Sequence, residues 1–156
     1  MITLIVILFT ILIIHEADGA EQISRNAPHL ATEYIIEVEN ISNKYCEEYK
    51  IPCNVFKAIL AVESNYSVEA FNKKTKDYGI GQINEKTIAS LKLDKTRLLT
   101  DLDYSIKKSA QILKYFYVRF HKREKHWYAR YNVGTRTKAL EIPAAKQYIK
   151  KVQRRM

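Results

Sequence analysis

Glycine and proline are scarce in this chain of 156 residues, with 4 and 3 copies. A sandwich or barrel of many short strands needs more turn residues than that. Cysteine is scarcer still, with two copies, which excludes a disulfide scaffold and a four-cysteine zinc site. The four histidines, His15, His29, His121 and His126, are scattered without ligand spacing. They read as surface or helix-end groups rather than a metal site. Acidic residues are few toward the carboxyl end. From Lys107 onward there are 15 basic residues against Glu124 and Glu141, a net +13, in a chain of net +9. Such a surface favours an anionic partner: nucleic acid, anionic lipid or an acidic wall polymer. Hydrophobic residues make up 47%, enough for a buried core and too many for wholesale disorder.

One long hydrophobic run is present. Ile2 to Ile14 carries no charge, and as a helix its thirteen residues span about 20 Å. That is short for a membrane crossing, which takes about 20 residues, and suits the apolar region of an export signal. No Lys or Arg precedes the run, so its positive end is the terminal amine alone. Ala17-Asp18-Gly19-Ala20 follows, with small residues fit for cleavage. The expected organisation is a signal over residues 1–20 and a single domain over 21–156, periplasmic or extracellular after cleavage. Losing Glu16 and Asp18 raises the net charge to +11. Export argues against a nucleic-acid partner and permits a disulfide. Cys46 and Cys53 lie seven positions apart around Pro52, and are expected to staple the end of one helix to the start of the next.

Apolar residues from Leu30 to Tyr49 recur at spacings of 3 and 4, marking one helix. After Pro52, Asn54 to Ser64 reads as a second, burying Val55, Ile59, Leu60 and Val62. Asn65 to Asp77 is polar and turn-rich, and Tyr78 to Asn84 is irregular or a short strand. Glu85 to Leu91 reads as a short helix. Thr100 or Asp101 can cap a long one to about Phe120. Trp127 to Asn132 is a short aromatic helix. Pro143 suits the first turn of a last helix that buries Ala144, Tyr148, Ile149 and Val152. The fold class is mainly α, with about six helices and a minor strand segment.

Three segments carry chemistry. In Ala58-Ile-Leu-Ala-Val-Glu63-Ser64, Glu63 lies on the same helical face as Ile59 and Leu60. Burial there raises a carboxyl pKa and keeps it an acid near neutral pH. In Asp77-Tyr-Gly79-Ile-Gly81-Gln82-Ile83-Asn84, two glycines permit close backbone approach, and Gln82 offers a donor and an acceptor to a polar ligand. No phosphate-binding pattern is complete around them. In Ala129-Arg-Tyr131-Asn132-Val-Gly134, a phenol and an amide stand side by side.

In that order, and with Ala70-Phe-Asn72 and Tyr148-Ile-Lys-Lys-Val152, these segments resemble the soluble-type lytic transglycosylases, relatives of goose-type lysozyme. The resemblance covers about residues 43–153. It implies a lysozyme-like fold and action on peptidoglycan glycan strands, between N-acetylmuramic acid and N-acetylglucosamine, leaving a 1,6-anhydromuramic end. It implies Glu63 as the single acid and base, with Tyr131 hydrogen-bonded to its carboxyl group, and no metal or organic cofactor. Ser64, Gln82, Asn132 and Tyr148 would line or support the sugar site. A short domain behind a signal resembles the small members that accompany secretion or conjugation machines, acting as a monomer. Gly81 stands where Met is common, which is expected to widen the groove. Arg130 replaces a small residue, which is expected to add charge near the cleft.

Two other functions compete. A goose-lysozyme-like hydrolase needs a base to place water, and Asp77 is the candidate; Asn84 is neutral. A non-catalytic basic protein would use the carboxyl-terminal charge with Tyr115, Phe116, Tyr117 and Trp127.

Overall fold

A computed structural model describes residues 31–136 and 139–156; the expected signal over 1–20 lies outside them. The described residues divide into two units, residues 31–37 and Val38–Met156. The first is helical. Everything below concerns the second.

Within it, helix α1 takes in residues 38–49 and buries Val38 and Tyr45. It ends at Lys50, whose φ of 51° makes the left-handed turn usual after a helix. Two residues on, Pro52 opens α2, Cys53–Ser64. Cys46 and Cys53 are disulfide-bonded, with Cα atoms 5.3 Å apart. The staple therefore joins α1 to the first residue of α2, where it was expected. Helix α2 is the most buried segment, with Phe56, Ala58, Ile59 and Leu60 at 1% exposure or less. Val62, expected in the core, is half-buried on the flank, and Phe56 and Ala61 face inward beside Val55.

A three-stranded antiparallel sheet follows: β1 (Phe71–Asn72), β2 (Asp77–Tyr78) and β3 (Ile83–Asn84), in that order. Phe71 pairs with Tyr78 and Asp77 with Asn84. Asn72 makes the first turn, its side-chain oxygen accepting from the backbone N–H groups of Lys74 and Thr75. Helix α3 (Glu85–Leu91) starts where expected, capped by Asn84, whose side chain accepts from Lys86 N–H. Helix α4 (Lys95–Thr100) was not expected. Asp94 caps it through Thr96 and Arg97 N–H, and Leu98 is its one buried residue. Ile83, Ile88 and Leu98 form a small core of their own with Tyr78 and Tyr104 packed on it.

Helix α5 (Leu102–Phe120) is capped by Asp101, which accepts from Tyr104 N–H. Its stripe of Ile106, Ala110, Leu113 and Phe116 is buried as the spacing predicts. The aromatic segment divides into a 3₁₀ turn, Trp127–Ala129, and α6, Arg130–Val133. A second 3₁₀ turn, Ala139–Glu141, precedes α7, Pro143–Gln153. Helix α7 buries Ala145, Tyr148 and Val152; Ala144, expected in the core, is exposed, and Ile149 is half-buried. The inward face is thus 145, 148 and 152, one position round from the expected one at its start. The described residues hold seven α-helices and one small sheet.

Candidate active site

Glu63 is the last residue but one of α2. The carboxyl end of a helix concentrates unpaired carbonyls, so a negative charge is disfavoured there. No basic residue offsets this in the last turn. Burial then dominates: with Asp77's charge acting in the same sense, it pushes the carboxyl group up to about 7 from an ordinary 4.5. Two effects oppose it. The Tyr148 hydroxyl donates to Oε1 at 2.6 Å, and the charge of Lys151 favours the carboxylate. A carboxyl group balanced near neutral pH is the expected state of a general acid.

The phenol that reaches Glu63 is therefore that of Tyr148, not Tyr131. Tyr148 is 6% exposed on the inner face of α7, and helices α7 and α2 pack together. Burial and the Glu63 charge hold its own proton on firmly. Tyr131 instead donates to the carbonyl oxygen of Gly81 at 2.9 Å. It still senses Glu63: burial first, then the Glu63 charge, raises its hydroxyl pKa, and a hydrogen bond with Ser109 acts the other way. The one-turn helix α6 aims Tyr131 at the glycine loop, and the bare backbone of Gly81 receives it.

The same loop takes up the other expected ligands. Ser64 donates to the Ile80 carbonyl at 2.8 Å. Gln82 spends both amide hydrogens on backbone carbonyls, those of Ala70 and Gly79, at 3.0 Å each. Its side-chain oxygen is what remains for a ligand. Asn132 is exposed. The Ile80 N–H donates to Ser105 Oγ at 3.3 Å. Ser105 and Ser109, fully buried on α5, are the partners that sequence reasoning missed. Their signal was present: two small polar residues one helical turn apart, each beside a buried apolar position, Ile106 and Ala110.

Glycine is required at both loop positions. Gly79 has φ +76°, and a Cβ there would overlap the Leu98 carbonyl oxygen. A Cβ on Gly81 would overlap Ser109 Oγ and come within 2.6 Å of the Tyr131 hydroxyl. The absent side chain thus does not widen the groove; Ser109 and Tyr131 occupy the space.

Arg130 also departs from expectation. It is 6% exposed and bridges inward to Glu124, with Nη2 to Oε1 at 2.6 Å and Nε to Oε2 at 2.9 Å. Its Nη1 donates to the carbonyls of Gly134 and Arg136, and its guanidinium lies over the Phe120 ring. Its charge is cancelled by Glu124 rather than presented to a cleft.

Asp77, the candidate base, is tied into the sheet. Oδ1 accepts from Asn84 Nδ2 at 2.8 Å, and Oδ2 accepts from the Thr75 hydroxyl. No group of three or more His, Cys, Asp or Glu residues that could hold a metal is found among the described residues.

The site is thus a buried acid at a helix end, held by a phenol beside a braced glycine loop. Residues 40–153 match the model of the transglycosylase SLT domain, and the chain belongs to that family. It is a transglycosylase-type enzyme of lysozyme-like, mainly α fold that acts on peptidoglycan, and so works outside the cytoplasm. No curated protein and no solved structure matched the chain. No helix among the described residues is long and apolar enough to cross a membrane.

Proposed function

We propose that the protein is a lytic transglycosylase with Glu63 as its single acid and base. The observation that carries this is the contrast between two carboxyl groups. Glu63 is buried and pushed up to about 7, while both oxygens of Asp77 are engaged in the sheet. A hydrolase with two working carboxylates needs the second one free to act as base or nucleophile. With one acid, the substrate supplies its own nucleophile. Glu63 protonates the oxygen bridging C1 of N-acetylmuramic acid to N-acetylglucosamine, and that C1–O bond breaks with help from the 2-acetamido group. The muramic 6-hydroxyl then bonds to C1 and returns its proton to Glu63. A 1,6-anhydro ring forms and no water is consumed. Tyr148 steadies the carboxylate between the two proton transfers. Ser64, Gln82 and Tyr131 act by holding the loop around the sugar, and Asn132 offers an exposed amide to it. We read residues 1–20 as an export signal and 21–156 as one domain, serving a secretion or conjugation machine as a monomer.

The test is product analysis on purified walls. Glu63→Gln keeps the shape and removes the transferable proton. It is expected to lower release of anhydro-muropeptides by at least about 10²-fold, the lower end of general acid–base contributions. Asp77→Asn is expected to retain most activity. Products one water heavier from the wild type, with inactivity of Asp77→Asn, would favour the hydrolase instead.

A further inference from the structure

Beside the candidate acid, the ends of α2 and α7 enclose a shallow cleft of about 310 Å³, lined by Ala61, Val62, Lys151, Arg154 and Arg155. Its floor is two small apolar side chains of the turn that leads into Glu63. Its wall is three cations, all exposed. Among the described residues, the ion pairs engage Lys44, Lys76, Lys95, Arg97 and Arg130, and none engages these three. Glu39 is an acidic neighbour, since its charge and that of Arg155 both act on the Tyr66 phenol. Glu39 and Glu63, the latter under the charge of Lys151, stand against three cations and leave the cleft net positive. Lys151 follows Tyr148 by three positions on α7, and Arg154 and Arg155 stand in the turn just past the end of that helix.

A glycan strand of alternating acetylated sugars is itself uncharged where each muramyl lactyl group is amide-linked to a stem peptide. The negative charges of the substrate therefore sit on the stems, beside the sugar whose C1 reacts. A guanidinium presents a planar fork of donors that matches a carboxylate. We propose that the cleft of Ala61, Val62, Lys151, Arg154 and Arg155 is a binding site for the carboxylates of the substrate's stem peptide. The site seats the muramyl residue with its C1 toward Glu63. This rests on the transglycosylase reading above.

The experiment measures binding, so that it is separate from turnover. Glu63→Gln protein, with and without Arg154→Gln/Arg155→Gln, is sedimented with purified walls stripped of accessory anionic polymers. The walls are used untreated or with their carboxylates amidated by carbodiimide and methylamine. Exposed ion pairs contribute modestly. Loss of both arginines is expected to weaken binding to untreated walls about three- to tenfold, and to leave binding to amidated walls unchanged. Lys122→Gln/Arg123→Gln removes the same charge from exposed positions after α5 and is expected to have the smaller effect. The proposal is overturned if the arginine variant weakens binding equally on both walls. It is also overturned if that variant has no effect on either, or if the Lys122/Arg123 control weakens binding as much. Failure of the catalytic reading shows elsewhere, as product release by Glu63→Gln itself, and leaves the ratio between the two walls as the measure of the cleft.

Discussion

Tyr148 takes the place expected of Tyr131 at the Glu63 carboxyl group, and Tyr131 braces the Gly81 loop instead. A hydroxyl that donates to a carboxylate stabilises its charged form. Removing the Tyr148 hydroxyl therefore has two separable effects. The Glu63 carboxyl group becomes a weaker acid, so the alkaline limb of the rate profile moves above its ordinary position near 7. The acid also loses its fixed orientation, which is expected to cost about tenfold or more in kcat. Tyr148→Phe should show both. Tyr131→Phe removes a bond to the Gly81 carbonyl and should cost about 1 kcal/mol of stability, with the alkaline limb nearly in place. Rate profiles of the two variants between pH 5 and 9, with urea unfolding of each, make the comparison. A limb that shifts in Tyr131→Phe and stays in Tyr148→Phe would restore the original assignment.

Among the elements, those with strong periodicity were legible. Helices α2, α3, α5 and α7 stand within a residue or two of the spans that spacing, Asp101 and Pro143 marked. Helix α4 was not legible because it is six residues long and buries only Leu98. Its stability comes from the Asp94 cap and from Leu98 packing beneath the sheet, neither of which leaves a periodic trace. At the site, the burial of Glu63 could be read from its place on an apolar face. The partner of its carboxyl group could not, because it depends on how α7 lies against α2, a contact 85 positions away in sequence. Arg130 was misread for a related reason: a charged residue in an aromatic segment looks exposed until its partner is known. That partner, Glu124, turns the short link between α5 and α6 into a clamp on Gly134 and Arg136. Breaking a buried pair leaves the other charge uncompensated. Glu124→Gln is expected to lower stability by about 3 kcal/mol, more than the exposed Arg97–Asp101 pair would give up in Asp101→Asn once its capping bond is allowed for. Chemical denaturation of both variants checks the order, and equal losses would show that Arg130 is not held by its charge partner.

At the scale of the whole molecule, the buried acid ties folding to the proposed chemistry. The unfolded chain releases the Glu63 proton around 4.5, and the folded one releases it near 7. Between those values the folded state binds more protons than the unfolded state, so stability falls as pH rises. The contribution is fully present below about 4.5 and is lost as pH rises through about 7, where this group's curve flattens. The size follows from the separation of the two values and is on the order of 3 kcal/mol. Surface carboxylates act with the opposite sign at lower pH: Asp101, held down by Tyr104 N–H and Arg97, and Asp103, held down by Tyr45 and Lys44, favour the fold once ionised. Their exposure keeps these effects small and confines them to the acid side. A glutamine at position 63 cannot titrate, so the difference between wild type and Glu63→Gln isolates the one group. Urea unfolding at pH 5 and pH 8 is expected to show wild type losing about 3 kcal/mol relative to the variant across that interval. Parallel curves for the two proteins would mean that Glu63 ionises like a surface carboxyl group. In that case the acid needed to protonate a glycosidic oxygen near neutral pH would be missing from this position. A narrowing of the gap with activity retained would place the proton donor elsewhere, whereas the expected gap ties the cost to the fold and the acidity of the site to the same buried proton.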